Sequence, residues 1–431
     1  GPRQQILIFD VRTRPPREVG AIGRRGGIHA EPAGRIEPLK FNRPWAIACD
    51  SDGGLFVAHH GSTGGGSTVL EAYAPDGTLR WQLFGLCFVD MADVDPADDR
   101  QLFTKEERFD IDYGAPRGRE WSYRAYTVDR LRFPEDPRLH IWSAGVWVRR
   151  IAGHPILFVN DMSAEHLQVY RFHGDTAIPA GLFAKTTIHR IRDGTWPPYQ
   201  PCGCEWIWCD TNGNGRFDAG EYDAGEQPAP PAQGWWVDTR GDVWLASERD
   251  GIRQFRCVGV DERGVPRWSH RAVIHVPHPA AFREVKRLRY LPDSDVMVLG
   301  GITSEHKNQH WKTMGPVLAR YDRWTAGGAT SAPTWQIVLP YLPGVRGHES
   351  WEPMSFDVAG DYIFVAYTAG SRAHQIGWGR VEVVRAADGH SVGHFEPPPD
   401  IGMIGIQDIR ECVRAHRRAN GEYIVMIEDD M

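Results

Sequence analysis

The stretch FNRPWAIACDSDGGLFVAHHG, Phe41 to Gly61, runs through a short polar link into STVLEAYAPDGTLRWQLFG, Ser67 to Gly85. It reads as apolar run, Asp/Gly turn, apolar run, polar loop, apolar run, Asp-Gly turn and apolar run. Alternating segments of that length joined by Asp/Gly turns predict a four-stranded antiparallel meander.

Working outward, the same grammar recurs. It stands in GWWVDTRGDVWLASERDGIRQFRCVGVDERGVPRWS from Gly234, and in PMSFDVAGDYIFVAYTAG from Pro353 with GRVEVVRAADGHSVGHF behind it. Looser copies are VWVRRIAGHPILFVNDMSAEHLQVYRF from Val146 and LRYLPDSDVMVLGGITSEH from Leu288, the latter resuming at VLARYD from Val317. A last copy, CVRAHRRANGEYIVMIEDDM from Cys412, holds two strands. The apolar N-terminal segment QQILIFDV, Gln4 to Val11, is the matching fragment at the other end. Pairing the two would close a ring and remove its exposed edges. The expectation is an all-β chain: one six-bladed β-propeller over residues 1–431, built of four-stranded antiparallel blades, with strand 4–11 closing on half-blade 412–431. Two long insertions interrupt the period, at 86–140 and 187–233. A set of β-sandwiches sharing hairpin grammar is the alternative, but a sandwich does not need a half-blade at each end.

The run RPWAIACDSDGGLFVA with VLEAYAPDGTLRW resembles the NHL repeat of six-bladed propellers, and more loosely the strictosidine synthase and gluconolactonase-like propellers. The resemblance covers about half the chain. It implies a fold more than an activity, since such propellers include lyases, lactone hydrolases and binding scaffolds.

Inside the second insertion stands DTNGNGRFDAGE, Asp210 to Glu221. Asp210, Asn212 and Asn214 fall at positions 1, 3 and 5 of an EF-hand loop. Gly215 is the turn glycine, Arg216 offers its carbonyl at 7, Asp218 stands at 9 and Glu221 closes at 12. Alternate side-chain oxygens then wrap one hard cation, and the last carboxylate can bind it with both oxygens. The segment CGCEWIWC ahead of the loop is too short and aromatic for an EF-hand helix, so the loop resembles the calcium loops of dockerin-like extracellular modules. A structural Ca²⁺ that staples the insertion is the expectation. Cys202, Cys204 and Cys209 beside it offer one local disulfide or, less simply, a soft-metal site.

In a propeller, the loops entering each inner strand share a face with those leaving each second strand. Aligning strand ends places His59, Asn160, Ser247, Gly300, Tyr367 and Glu428 at equivalent points, with His60, Asp161 and Glu248 beside them. Entering loops add Trp45, Trp142, His348, Glu349, Glu352 and Asp408. Histidines and carboxylates on one concave mouth are the raw material of a divalent-metal or acid-base site. The catalytic candidates are His59, His60, His348 and Glu352, and the substrate-binding candidates are Trp45, Asn160, Glu248, Tyr367 and Asp408. A second divalent ion in the channel would make a hydrolase or lyase for a small or carbohydrate-like substrate. Without it, the mouth would serve a noncatalytic scaffold for a glycan, peptide or partner domain.

Composition narrows the classes further. The 431 residues are 41% hydrophobic and 24% charged, which is ordinary globular chemistry. With 49 basic against 56 acidic side chains, a net charge of -7 disfavours nucleic acid. No apolar run reaches the ~18 residues of a membrane helix. Seven cysteines in so long a chain are no disulfide scaffold. Gly1-Pro2 looks like a protease scar, so a signal peptide or neighbouring domains could have stood before it. A secreted, periplasmic or extracellular setting fits the calcium loop.

Overall fold

The computed structural model describes residues 2–61, 68–85, 89–189, 196–308, 310–342, 350–370, 374–375, 377–397 and 407–428. Among them the chain is almost entirely β-structure, arranged as successive antiparallel meanders. The first sheet is the quoted stretch, Ala46–Cys49, Leu55–His60, Thr68–Tyr73 and Leu79–Phe84. Its Asp/Gly turn works as read: Asp50 Oδ1 accepts from the Asp52 and Gly54 amides, and Gly53 takes φ +83°.

The third sheet begins at Val146–Ile151 and His154–Asn160, the fourth at Ala232–Val237 and Val243–Ser247, the fifth at Glu284–Leu291 and Val296–Ile302, and the sixth at Pro353–Ala359 and Tyr362–Tyr367. Each continues into two further strands in simple meander order. The first strand in each is buried nearly throughout, because it faces neighbouring sheets on both sides. Large aromatic side chains, including Trp147, Trp235, Trp236 and Trp244, fill the space between the third, fourth and fifth sheets.

Two expectations need correction. Residues 86–140 are no insertion: Ala92–Asp95, Asp98–Thr104, Glu107–Ile111 and Trp121–Tyr126 form a complete four-stranded sheet, the second in the chain. Its acidic start concealed it. Asp93 and Asp95 point to buried partners on the third sheet, where Asp93 accepts from the Val148 amide at 2.9 Å and Asp95 from Arg150 Nε at 2.9 Å. Polar residues at core positions break the apolar alternation by which a strand is recognised.

The second correction concerns closure. Ile6–Asp10 pairs with Arg17–Ile22 in a hairpin of its own, and Val413–Arg417 pairs with Tyr423–Ile427. Among the described residues, Ile6–Asp10 forms no strand pairing with the C-terminal strands. The first strands of the second to sixth sheets and Val413–Arg417 instead follow one another around a propeller axis. Val413–Arg417 lies between the sixth sheet and Ala92–Asp95 of the second, and Arg149 Nε donates to the Val237 carbonyl at 2.8 Å between the third and fourth. The first sheet stands outside that circuit, with Ala46–Cys49 exposed along its length. The N-terminal segment attaches to the second and third sheets through Arg35–Asp175 at 2.6 Å and His29–Asp129 at 2.9 Å.

The second insertion is partly strand. Trp206–Cys209 and Tyr222–Ala224 extend the third sheet to six strands.

Candidate functional site

The axis is filled with paired charge. Arg289, on the first strand of the fifth sheet, donates to Asp357 at 3.1 Å and to Glu411 at 2.6 Å. Arg414 Nε donates to the Val146 carbonyl at 2.7 Å, and Asp93 meets Arg149 at 3.3 Å. Arg287 Nε donates to the Arg410 carbonyl at 2.7 Å, and its other nitrogens reach the carbonyls of Gln233 and Lys312. One guanidinium thus ties the strand Ala232–Val237 to the segments carrying Lys312 and Arg410. Burial lowers Arg287 to about 9 and Arg414 to about 10, and it raises Asp93 against the pull of Arg149 and Arg414. A guanidinium fork suits such a place, since several donors in fixed geometry answer several carbonyls and carboxylates at once.

The expected mouth residues divide by how the sheets fall. Asn160, Asp161, Glu352, Asp408 and Glu428 lie on segments beside this axis. Asp161 accepts from the amides of Ser163, Glu165 and His166, which shapes the turn after its strand. Glu352 accepts from the His310 amide at 3.0 Å. Asp408 pairs with Lys312 at 3.2 Å, and its amide donates to Glu428 at 2.9 Å. Burial and the neighbouring Asp408 carboxylate hold Glu428 well above the usual range. Asn160 is buried with both side-chain polar atoms lacking a protein partner.

The others lie elsewhere. His59, His60 and Trp45 belong to the first sheet or its approach, outside the circuit. His59 is buried, with Nε2 at 3.4 Å from Glu71 and its ring against Phe41. Burial, with Arg43 and Arg130 beside it, pushes His60 down. Tyr367 stacks on Trp351 at 4.6 Å, so it packs a sheet rather than facing a ligand. Glu248 is exposed, and its carbonyl takes a contact from His278 at 3.3 Å. His348 and Glu349 lie outside the described residues. Among the described residues no three His, Cys, Asp or Glu side chains converge as metal ligands. Sequence reasoning missed Arg287, Arg289, Glu411 and Arg414, because charged residues in an inner strand look like its solvent face. The run EVKRLRYL, Glu284 to Leu291, carried the one available signal: cations alternating through a segment otherwise framed as core.

A cleft of about 790 Å³ opens between the second and third sheets. One wall is Leu139 to Ala144, the other Ala184 to His189, with Asp90, Lys105, Arg130, Met162, Glu165 and His166 between them. Lys105–Asp90 and Lys185–Glu165 form ion pairs along it. Trp142 is 76% exposed at its edge, while its carbonyl is held by His166 Nε2 at 2.9 Å and Gln168 Nε2 at 3.1 Å. The backbone beneath the ring is therefore fixed while the ring stays open to solvent.

The loop Asp210 to Glu221 folds back on itself through local hydrogen bonds. Asp210 Oδ2 accepts from the Gly215 amide at 3.0 Å, and Gly215 takes φ +71°, where a Cβ would strike Phe133 at 2.7 Å. Glu221 returns across the loop, taking the Thr211 amide at 2.8 Å and Trp208 Nε1 at 2.9 Å. Asp218 is held by Asn212 and Asn214 at 2.7 and 2.8 Å. Asp210 is fully buried, its Oδ1 has no hydrogen-bond partner, and burial with the Glu221 charge raises it to about 6. Cys202, Cys204 and Cys209 are free thiols, so the expected local disulfide is not formed.

Fold and site together define an all-β propeller with a cleft between its second and third sheets. No family model matches the chain, and no curated protein matches it. Solved structures similar to it include a candidate 6-phosphogluconolactonase from Bacteroides fragilis, at 12% identity over 83% of this chain and 85% of that one, with a TM-score of 0.32. Apo AztD from Citrobacter koseri is 10% identical over 86% and 88%, with a TM-score of 0.38. Sqt1 from Chaetomium thermophilum is 9% identical over 82% and 72%, with a TM-score of 0.34. Similarity at these scores carries no argument about chemistry.

Proposed function

We propose that this protein is a calcium-binding propeller that holds a glycan or similarly polar small molecule in the cleft between its second and third sheets, without turning it over. The observation that carries the reading is the cleft itself, about 790 Å³ of concavity whose largely apolar lining carries a few charged groups, with the exposed Trp142 ring at its edge. That volume lies in the range of small-molecule sites, and an open indole beside hydrogen-bonding groups suits the face of a sugar ring. Calcium belongs to the loop: the partnerless, buried Asp210 Oδ1 is the oxygen a cation would take, with Asn212, Asn214, the Arg216 carbonyl, Asp218 and Glu221 as the remaining donors. The ion would supply charge neutralisation there and no chemistry in the cleft. A loop of this kind suits the millimolar calcium outside cells.

A second reading, a metal-assisted hydrolase or lyase, draws on Glu428. Its raised carboxyl beside Asp408 has the character of a general acid. That reading needs a second divalent ion and a substrate path at the mouth.

Screening soluble oligosaccharides for binding in millimolar calcium decides between them. Under the binding reading Trp142→Ala loses the hit, His59→Ala keeps it, and the oligosaccharide is recovered intact. Cleavage that depends on an added divalent ion and disappears in Glu428→Gln would transfer the conclusion to the second reading. Retention of full binding by Trp142→Ala would remove the cleft from the account.

A further inference from the structure

The calcium loop and the cleft share one hydrophobic cluster. Phe217, position 8 of the loop, is buried with Leu182, Ala184, Trp196, Trp206 and Trp208, and Ile141 and Ile188 pack against the same group. Ala184, Ile141 and Ile188 also line the cleft, on its two opposite walls. A second path runs through rings. Trp208 hydrogen-bonds Glu221 and meets Phe217 at 4.2 Å, Phe217 meets Trp196 edge-on at 5.5 Å, and Trp196 stacks on the cleft residue His140 at 4.8 Å and 16°. Backbone contacts run the same way: Glu135 accepts the Phe217 amide on its carboxylate, and its carbonyl takes Trp196 Nε1, both at 3.3 Å.

We infer that calcium at Asp210 to Glu221 sets the shape of the cleft, so that the cleft's ligand affinity depends on calcium. The inference rests on the calcium and cleft readings above. Its physical basis is the loop's internal conflict without metal. Asp210 and Glu221 approach each other in a buried place, and Asp210 Oδ1 has nothing to bind. Burying such a group unpaired is costly, so the metal-free loop relieves the cost by opening. Opening withdraws Phe217 from beneath Trp196, which removes the support of His140 on one wall and of Ile188 on the other. Calcium restores both. By linkage, a ligand that prefers the supported cleft tightens calcium by the same factor.

Terbium luminescence sensitised by Trp208 reports occupancy of the loop directly, and hydrogen exchange reports the cleft without any ligand. In the whole protein, adding calcium is expected to slow exchange of peptides covering Leu139 to Ala144 and Ala184 to His189 by about tenfold or more, the mark of a suppressed local opening. Phe217→Ala should keep terbium binding and lose that protection. Phe217→Leu, which keeps apolar bulk at the site, should retain most of it and serves as well if the alanine variant folds poorly. Bound terbium with unchanged exchange on both walls would overturn the coupling and leave the calcium site standing. No terbium or calcium binding would overturn the calcium reading, and the coupling with it.

Discussion

The propeller axis and the Asp210 to Glu221 loop both bury carboxylates, at Glu411 in one and at Asp210 and Glu221 in the other, yet they differ in what stands beside the oxygen left without a hydrogen bond. Along the axis, Arg289 answers Asp357 and Glu411 together, and the Glu411 oxygen that accepts no hydrogen bond lies 3.7 Å from Arg287 Nε. In the loop, backbone amides and side-chain donors reach Asp210, Asp218 and Glu221, and Asp210 Oδ1 is left buried without a hydrogen-bond partner. Density of titratable groups therefore does not mark a site by itself. A committed network holds sheets in place and sets a guanidinium beside its leftover oxygen, whereas a buried oxygen without one asks for a cation.

The largest expected effect lies on the axis. Arg289→Met leaves Asp357 and Glu411 buried without their shared partner, and should destabilise by about 3 to 5 kcal/mol. Urea unfolding measures it, and a loss under ~1 kcal/mol would show that the axial pairs are not structural. Next comes the loop. With calcium at about a hundred times its dissociation constant, the wild type gains about 2.7 kcal/mol that Glu221→Ala should lack. A calcium-dependent melting shift that survives in the variant would break the contrast between the two regions.

Acid sharpens the same contrast. Asp210 has a folded pKa of about 6, above the ordinary aspartate value. In calcium-free buffer the folded state therefore binds the extra proton, and stability falls as pH rises from about 4 toward 6. Calcium competes with that proton, so its stabilising effect should fade on acidification through the same window. Asp238 is also raised to about 6 by burial, so the comparison is between wild type and Asp210→Asn, which lacks only the first contribution. Identical pH profiles in the two proteins would sink the assignment. The smallest effect concerns the cleft: Trp142→Ala should weaken a bound glycan by about tenfold, or ~1.4 kcal/mol, while the melting temperature stays put.

The meander grammar was legible wherever a strand keeps a clean apolar face, as in Gly234 to Phe255 and Pro353 to Tyr367. It failed for Ala92–Asp95, whose aspartates are core residues because Val148, Arg149 and Arg150 lie opposite them. Within Asp210 to Glu221 the turn at Gly215 was legible because it is local, fixed by one glycine and the Asp210 carboxylate. The cleft was not. Leu139 to Ala144 and Ala184 to His189 carry no motif, and become one site only because two sheets stand side by side.

By itself, then, the sequence determined the class of fold and the Asp/Gly turns, since these follow from interactions among residues close along the chain. Only the tertiary structure decided which strands surround the axis, which charges are spent there, and that His59 and His60 stand apart from Glu352 and Asp408. Those outcomes depend on pairing between residues far apart in sequence, such as Arg289 with Glu411 and Arg414 with Val146. Neither the spacing nor the composition of a single chain encodes such partners.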